Sequence, residues 1–199
     1  MHRAQGRKVF ILLLTRGEKG GDPSVRCEEA KMAADIIGAE LLEVGRFPDG
    51  ALEDHQETVA YIESNLQKTD ASVVFSPSAK DRHQDHRKAA YATIAAARYV
   101  PEVYMYETPA TIQEFSPQLF VDIRPYLDLK KKALRAHSSQ SSRSYFAEDA
   151  VEGLSRYRAF QAWAGRAATG AVEAFEVARL VVTSEDTRLH NSRQESVSA

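Results

Sequence analysis

Val9-Phe10-Ile11-Leu12-Leu13-Leu14-Thr15-Arg16-Gly17-Glu18-Lys19-Gly20-Gly21-Asp22-Pro23 is an unbroken apolar run that stops at a charged, glycine-rich segment. Such a run fits a strand buried on both faces, and the glycines behind it mark a loop rather than a helix. Ser24 can cap a helix over residues 24–37, with Val25, Met32, Ala33, Ile36 and Ile37 on or near one face and Gly38 as its stop. The stretch therefore reads as the βα unit of an α/β fold.

The alternation continues outward. Residues 40–44 read as a second strand, and Phe47-Pro48-Asp49-Gly50 is a turn by composition. Val59, Ile62 and Leu66 recur at helical spacing, residues 72–75 form a third strand, and Asp85 or the residue before it can cap the next helix, which is rich in alanine over 89–97. Strands follow at 103–106 and 120–123, then helices at 127–137 and 145–163. Residues 171–182 are too mixed for an assignment. Together these segments predict a Rossmann-like open sheet, largely parallel, with helices on both faces, as one domain over residues 1–183 and a polar, disordered tail over 184–199.

Composition narrows the function. In 199 residues with a net charge of -2, nothing points to nucleic acid. The apolar run at 9–14 is too short to span a bilayer and lacks the layout of a signal peptide, so a cytoplasmic protein is expected. One cysteine, Cys27, leaves no disulfide framework and no cysteine-rich zinc site.

The third strand delivers Ser76-Pro77-Ser78-Ala79-Lys80-Asp81-Arg82-His83-Gln84-Asp85-His86-Arg87. If residues 83–86 form the first turn of a helix, His83 and His86 face the same side and Asp85 is close enough to hydrogen-bond one imidazole. That is half of a metal site, since a catalytic zinc takes about three protein ligands. The alternative is a pair of surface histidines in a solvated loop with Asp81, Arg82, Arg87 and Lys88. The start of the chain is unusual as well. His2-Arg3-Ala4-Gln5-Gly6 looks like the last turn of a helix without its body, or else a frayed terminus.

In these residues the chain resembles the LmbE-like, or PIG-L, zinc-dependent de-N-acetylases. The resemblance rests on Leu14 to Gly21, Arg26 with Glu29 and Gly38, Phe47-Pro48-Asp49-Gly50, Asp81 to Arg87 and Tyr106-Glu107-Thr108-Pro109. Phe115-Ser116-Pro117, Phe120-Val121-Asp122-Ile123, Lys130 with His137 and Ser139-Gln140, and Glu173-Ala174-Phe175 extend it along the chain. It implies a hydrolase acting on an N-acetylglucosamine-type conjugate, a small-molecule partner, with His86 as a zinc ligand. His83 would stabilise the oxyanion or act as general acid, Asp85 would orient it, and Arg26 and Glu18 would contact the sugar. Homo-oligomers occur among such proteins.

One family feature is not found. Members carry an early His-Pro-Asp-Asp segment that supplies a zinc-ligating histidine and aspartate and a second aspartate as general base. The resemblance thus implies an absent first strand, open strand edges that oligomerisation would cover, weak zinc binding and an impaired enzyme. Two other readings stand beside it: a non-catalytic sugar- or partner-binding relative, and a metal-dependent hydrolase of another amide or ester. A His-Pro-Asp-Asp coding segment upstream of Met1 would favour the enzyme.

Overall fold

The run at residues 9–14 becomes β1 (Phe10–Thr15), and its loop leads into α1 (Pro23–Ile37). The structure is a computed structural model that describes residues 1–144, 147–163 and 170–182. The cap of α1 is Asp22 rather than Ser24. Its Oδ1 accepts from the amides of Ser24 at 2.8 Å and Val25 at 3.2 Å, and Pro23 fills the first turn, where a missing N–H costs nothing. Gly38, at φ 72°, closes the helix as expected.

β2 (Glu40–Phe47) pairs parallel with β1 and runs three residues beyond the expected strand. The extra length includes an irregularity in the ladder, where Gly45 at φ 52° lies against the backbone of Thr15 and Arg16. α2 (Gln56–Thr69), β3 (Val73–Pro77), α3 (Gln84–Ala96) and β4 (Glu102–Tyr106) follow the predicted order. β5 (Leu119–Asp122), α4 (Leu127–Arg135) and α5 (Glu148–Ala162) complete that series. The start of the helix expected from residue 145, and the tail expected at 184–199, lie outside the described residues.

The unassigned stretch is a strand, β6 (Val172–Leu180), placed between β4 and β5 and antiparallel to both. The sheet is therefore mixed: β1–β2 and β3–β4 are parallel, and the two ladders of β6 are not. A single crossover helix returns the chain to the end it left, giving a parallel strand. Between β5 and β6 lie two helices, and the pairs Lys131–Glu152 and Arg135–Glu148 show them antiparallel, so the chain re-enters from the opposite end.

Helices pack on both faces. Leu12 and Leu14 of β1 meet Val59, Ile62 and Leu66 of α2 and Ala92 and Ala96 of α3. Alternation along the strand sends Ile11 and Leu13 to the other face, the side of α1. On that side buried Glu29 of α1 accepts hydrogen bonds from Ser138 Oγ at 3.0 Å and from Ser139 N and Oγ at 2.6 and 2.7 Å.

Two features place the site. The loops after β1, β2 and β3 meet at one edge: Asp49 N donates to Glu18 at 2.7 Å, Lys19 N to Asp49 at 2.9 Å, and Gly50 N to Asp85 at 2.6 Å. These strands therefore all point towards that edge. Secondly, α1 and α2 lie on opposite faces, so the winding reverses between β1 and β3, the switch point where α/β proteins bind ligands. Among the described residues no ladder crosses that point. The strands form two sheets, β1-β2 and β3-β4-β6-β5, beneath the shared layer of α2 and α3. All of β1 is only half-buried, and Phe75 of β3 is 42% exposed, with the ring of His2 5.6 Å away. His2–Gln5 forms a 3-10 turn stopped by Gly6 at φ 78°.

Candidate active site

The loop from β3 to α3 is held from beneath. Ile112 N donates to Lys80 O at 2.9 Å and Arg82 N to Ala110 O at 3.0 Å, while Arg87 reaches back to Asp81 O and Arg82 O at 2.7 and 2.8 Å. On this platform Asp81 is 1% exposed. Its Oδ1 accepts the His83 amide at 2.7 Å, an Asx-type turn. Oδ2 lies 2.9 Å from His86 Nδ1 and accepts from Thr108 Oγ1 at 2.5 Å. Burial opposes the charge on Asp81, but the hydrogen bonds from Thr108, the His83 amide and His86 outweigh it and hold the carboxyl below its usual range.

Its charged neighbours suit Asp81 to a solvated loop, whereas the structure buries it at the centre of the site. The spacing Asp-x-His is the signal that points to it, because an aspartate two residues before an amide can close such a turn. Lys88, one of those charged neighbours, pairs with Asp54 at 2.7 Å and Glu53 at 3.0 Å.

His83 and His86 come together as the helical turn predicts, with rings stacked at 4.7 Å and 25°. His83 itself caps α3, its Nδ1 accepting the amide of Asp85 at 3.2 Å. The Asp85 carboxylate does not turn to His83. It is 6% exposed and accepts from Gly50 N at 2.6 Å and Leu52 N at 3.2 Å, fastening the loop after β2 beneath the histidines. Its link to His83 is the backbone N–H alone.

Glu18 stands in the loop after β1, and Arg26 in the first turn of α1. Exposed Glu18 binds the Asp49 amide, and that bond, first among its influences, lowers its carboxyl pKa. It reaches the histidine loop through Asp49, Gly50 and Asp85. The Arg26 guanidinium lies over Gly17 and Gly20, and its side chain makes no hydrogen bond or ion pair among the described residues.

The donor set does not make a complete zinc site. Among the described residues no group of three or more His, Cys, Asp or Glu side chains is placed to hold a metal ion. His86 has Nε2 left over, while both oxygens of Asp81 and both of Asp85 are already engaged.

Fold and site define an α/β protein with a stacked imidazole pair at the carboxyl ends of its strands, beside the switch point, an arrangement suited to moving protons at a bound small molecule. Comparison with known proteins agrees. The family profile "PIG-L: GlcNAc-PI de-N-acetylase" matches residues 1–97, which include the histidine loop. The uncharacterized deacetylase YaiS of Escherichia coli strain K12 is 31% identical over 143 residues, 68% of this chain and 77% of that protein. The diacetylchitobiose deacetylase of Thermococcus kodakarensis is 29% identical over 172 residues, covering 74% of this chain and 62% of that protein. Among solved structures, the conserved protein TT1542 of Thermus thermophilus superposes with a TM-score of 0.76 at 28% identity, covering 92% of this chain and 87% of that one. The chain belongs to the PIG-L/LmbE family of deacetylases. No helix among the described residues is long and apolar enough to cross a membrane.

Proposed function

We propose that the site binds an N-acetylglucosamine-type amino-sugar conjugate and is built for hydrolysis of its acetamide, with zinc as the metal of the complete site and His86 as one ligand. The observation that supports this most is the stacked pair His83–His86, set at the strand ends with one nitrogen of each ring left for a ligand. Hydrolysis adds water across the C–N bond, releasing acetate and a free amine. His83, whose Nδ1 is occupied by the helix cap, offers Nε2–H to the carbonyl oxygen as negative charge develops there, or to the departing nitrogen. Arg26, without a side-chain hydrogen bond or ion pair among the described residues, supplies a cation for the oxygens of the sugar conjugate, and Glu18 holds the loop that leads into its helix or accepts a sugar hydroxyl.

The carboxylates of Asp81 and Asp85 are buried, and each of their oxygens already accepts a structural hydrogen bond, so neither is presented to take the proton of an attacking water. We therefore expect this polypeptide to bind the sugar without useful turnover. That observation also favours the second reading, a non-catalytic sugar-binding member of the family. Titration with N,N'-diacetylchitobiose, read by calorimetry, should show binding that Arg26→Gln weakens about tenfold, the loss of one or two charge-assisted hydrogen bonds. Acetate release and zinc content are measured in parallel. No binding of any N-acetylated sugar would overturn the substrate assignment, and stoichiometric zinc with steady acetate release would overturn the impairment.

A further inference from the structure

We propose that Asp81 is a positioning residue that sets the tautomer of His86, so that the stacked imidazoles carry their protons on opposite nitrogens: His86 presents a bare Nε2 and His83 an Nε2–H. The proton inventory around Asp81 leads there. The Thr108 hydroxyl accepts the Ala110 amide at 3.1 Å, and its single proton goes to Asp81 Oδ2 at 2.5 Å. The His83 amide donates to Oδ1. A carboxylate surrounded by donors only accepts, so the 2.9 Å contact with His86 is Nδ1–H donating to Oδ2. A neutral imidazole has one proton, and Nε2 of His86 is left with its lone pair.

His83 is fixed in the reverse sense. Its Nδ1 accepts the Asp85 amide as a helix cap, which places the proton on Nε2. The rings lie 4.7 Å apart, so one site offers a hydrogen-bond donor and a lone pair side by side. A lone pair accepts a proton or ligates a cation, and the adjacent N–H holds an oxygen. Two histidines with the same tautomer would offer only one of these functions. The division of labour comes from their different neighbours, a buried carboxylate for one and a backbone amide for the other.

This inference deepens the proposed reading of the same site, but its test needs no substrate or metal, so the two can fail separately. The full chain is labelled with nitrogen-15 in histidine and studied by long-range proton–nitrogen correlation at about pH 8, where an ordinary imidazole is neutral. His83→Gln and His86→Gln assign the two rings. The expected spectrum shows His86 protonated at Nδ1 and His83 at Nε2. In Asp81→Asn the amide oxygen keeps the His83 N–H, so the NH2 takes the place of Oδ2 and faces His86 Nδ1 together with the Thr108 hydroxyl oxygen, which inverts the His86 tautomer to Nε2–H and leaves His83 as it was. Thr108→Val, which keeps the carboxylate, leaves His86 protonated at Nδ1. A His86 ring protonated at Nε2 in the unaltered chain overturns the proposal, and that spectrum decides the matter even where Asp81→Asn fails to fold. An unchanged His86 in a folded Asp81→Asn protein overturns it equally.

Discussion

Glu29 shows how a single buried carboxylate carries both packing and acid sensitivity. It is 2% exposed, and burial alone would raise its pKa, but the amide and hydroxyl of Ser139 and the hydroxyl of Ser138 lower it below the usual 4.5. A carboxylate depressed in the folded state contributes stability above its unfolded pKa and loses it as pH falls through the folded value. His137 acts in the same direction at higher pH. Burial lowers its pKa below 6.5, with Glu29 opposing, so the unfolded chain takes up its proton first and stability falls as pH drops below about 6.5. Urea midpoints measured against pH should decline in two limbs, the first beginning near 6.5 and the second below 4.5. Glu29→Gln should cost about 1–3 kcal/mol at neutral pH and remove the lower limb's share. An unchanged lower limb in that variant would show that Glu29 is not its source.

At the level of elements, what the sequence made legible was the set of segments whose pattern and packing agree. β1 is a plain apolar run, α1 ends at a glycine, and the alanines of α3 divide between two cores, Ala90 with Val103 and Met105 of β4 and Ala92 and Ala96 with Leu12 and Leu14 of β1. β6 escaped because Glu173 and Glu176 interrupt its apolar residues. The strand tolerates them since Lys130 reaches Glu173 at 2.6 Å, while Ser78, Lys80 and the Ser116 amide satisfy Glu176 at 2.6 to 2.9 Å. Those partners are 43 to 98 residues away, so no local window can contain them. The site divides in the same way. The facing of His83 and His86 follows from helical spacing, whereas the burial of Asp81 depends on Thr108, which arrives from beyond β4. Backbone limits are local and give a sharper prediction. A Cβ on Gly45 would lie 2.5 Å from Arg16 N at a φ of 52°, so Gly45→Ala should lower stability by about 1–3 kcal/mol. Gly153→Ala, on α5 with open space around it, should instead gain about 0.5–1 kcal/mol through helix propensity. Thermal melts of the two variants should move in opposite directions.

Across the whole molecule, the sheet interrupted between β1 and β3 divides the chain into unequal parts. Residues 10–47, comprising β1, α1 and β2, are joined to the rest by helix packing, by the Glu29 bonds, by the clasp of Glu18 and Lys19 on Asp49, and by side-chain bonds such as Tyr61 to Glu43 and Gln140 to Gly20, with no strand ladder among the described residues. With no shared ladder to break, this part is expected to open as a separate cooperative unit while β3-β4-β6-β5 stays folded. Native-state hydrogen exchange should therefore resolve two opening free energies, with the amides of residues 10–47 exchanging through the smaller one; a single value for both parts would show that the helices alone couple them fully. The consequence would reach the proposed ligand site, because Arg26 and Glu18 belong to the part expected to open first and His83 and His86 to the one expected to persist. A sugar held by both would then act as a brace, raising the protection of the weaker part by its own binding energy.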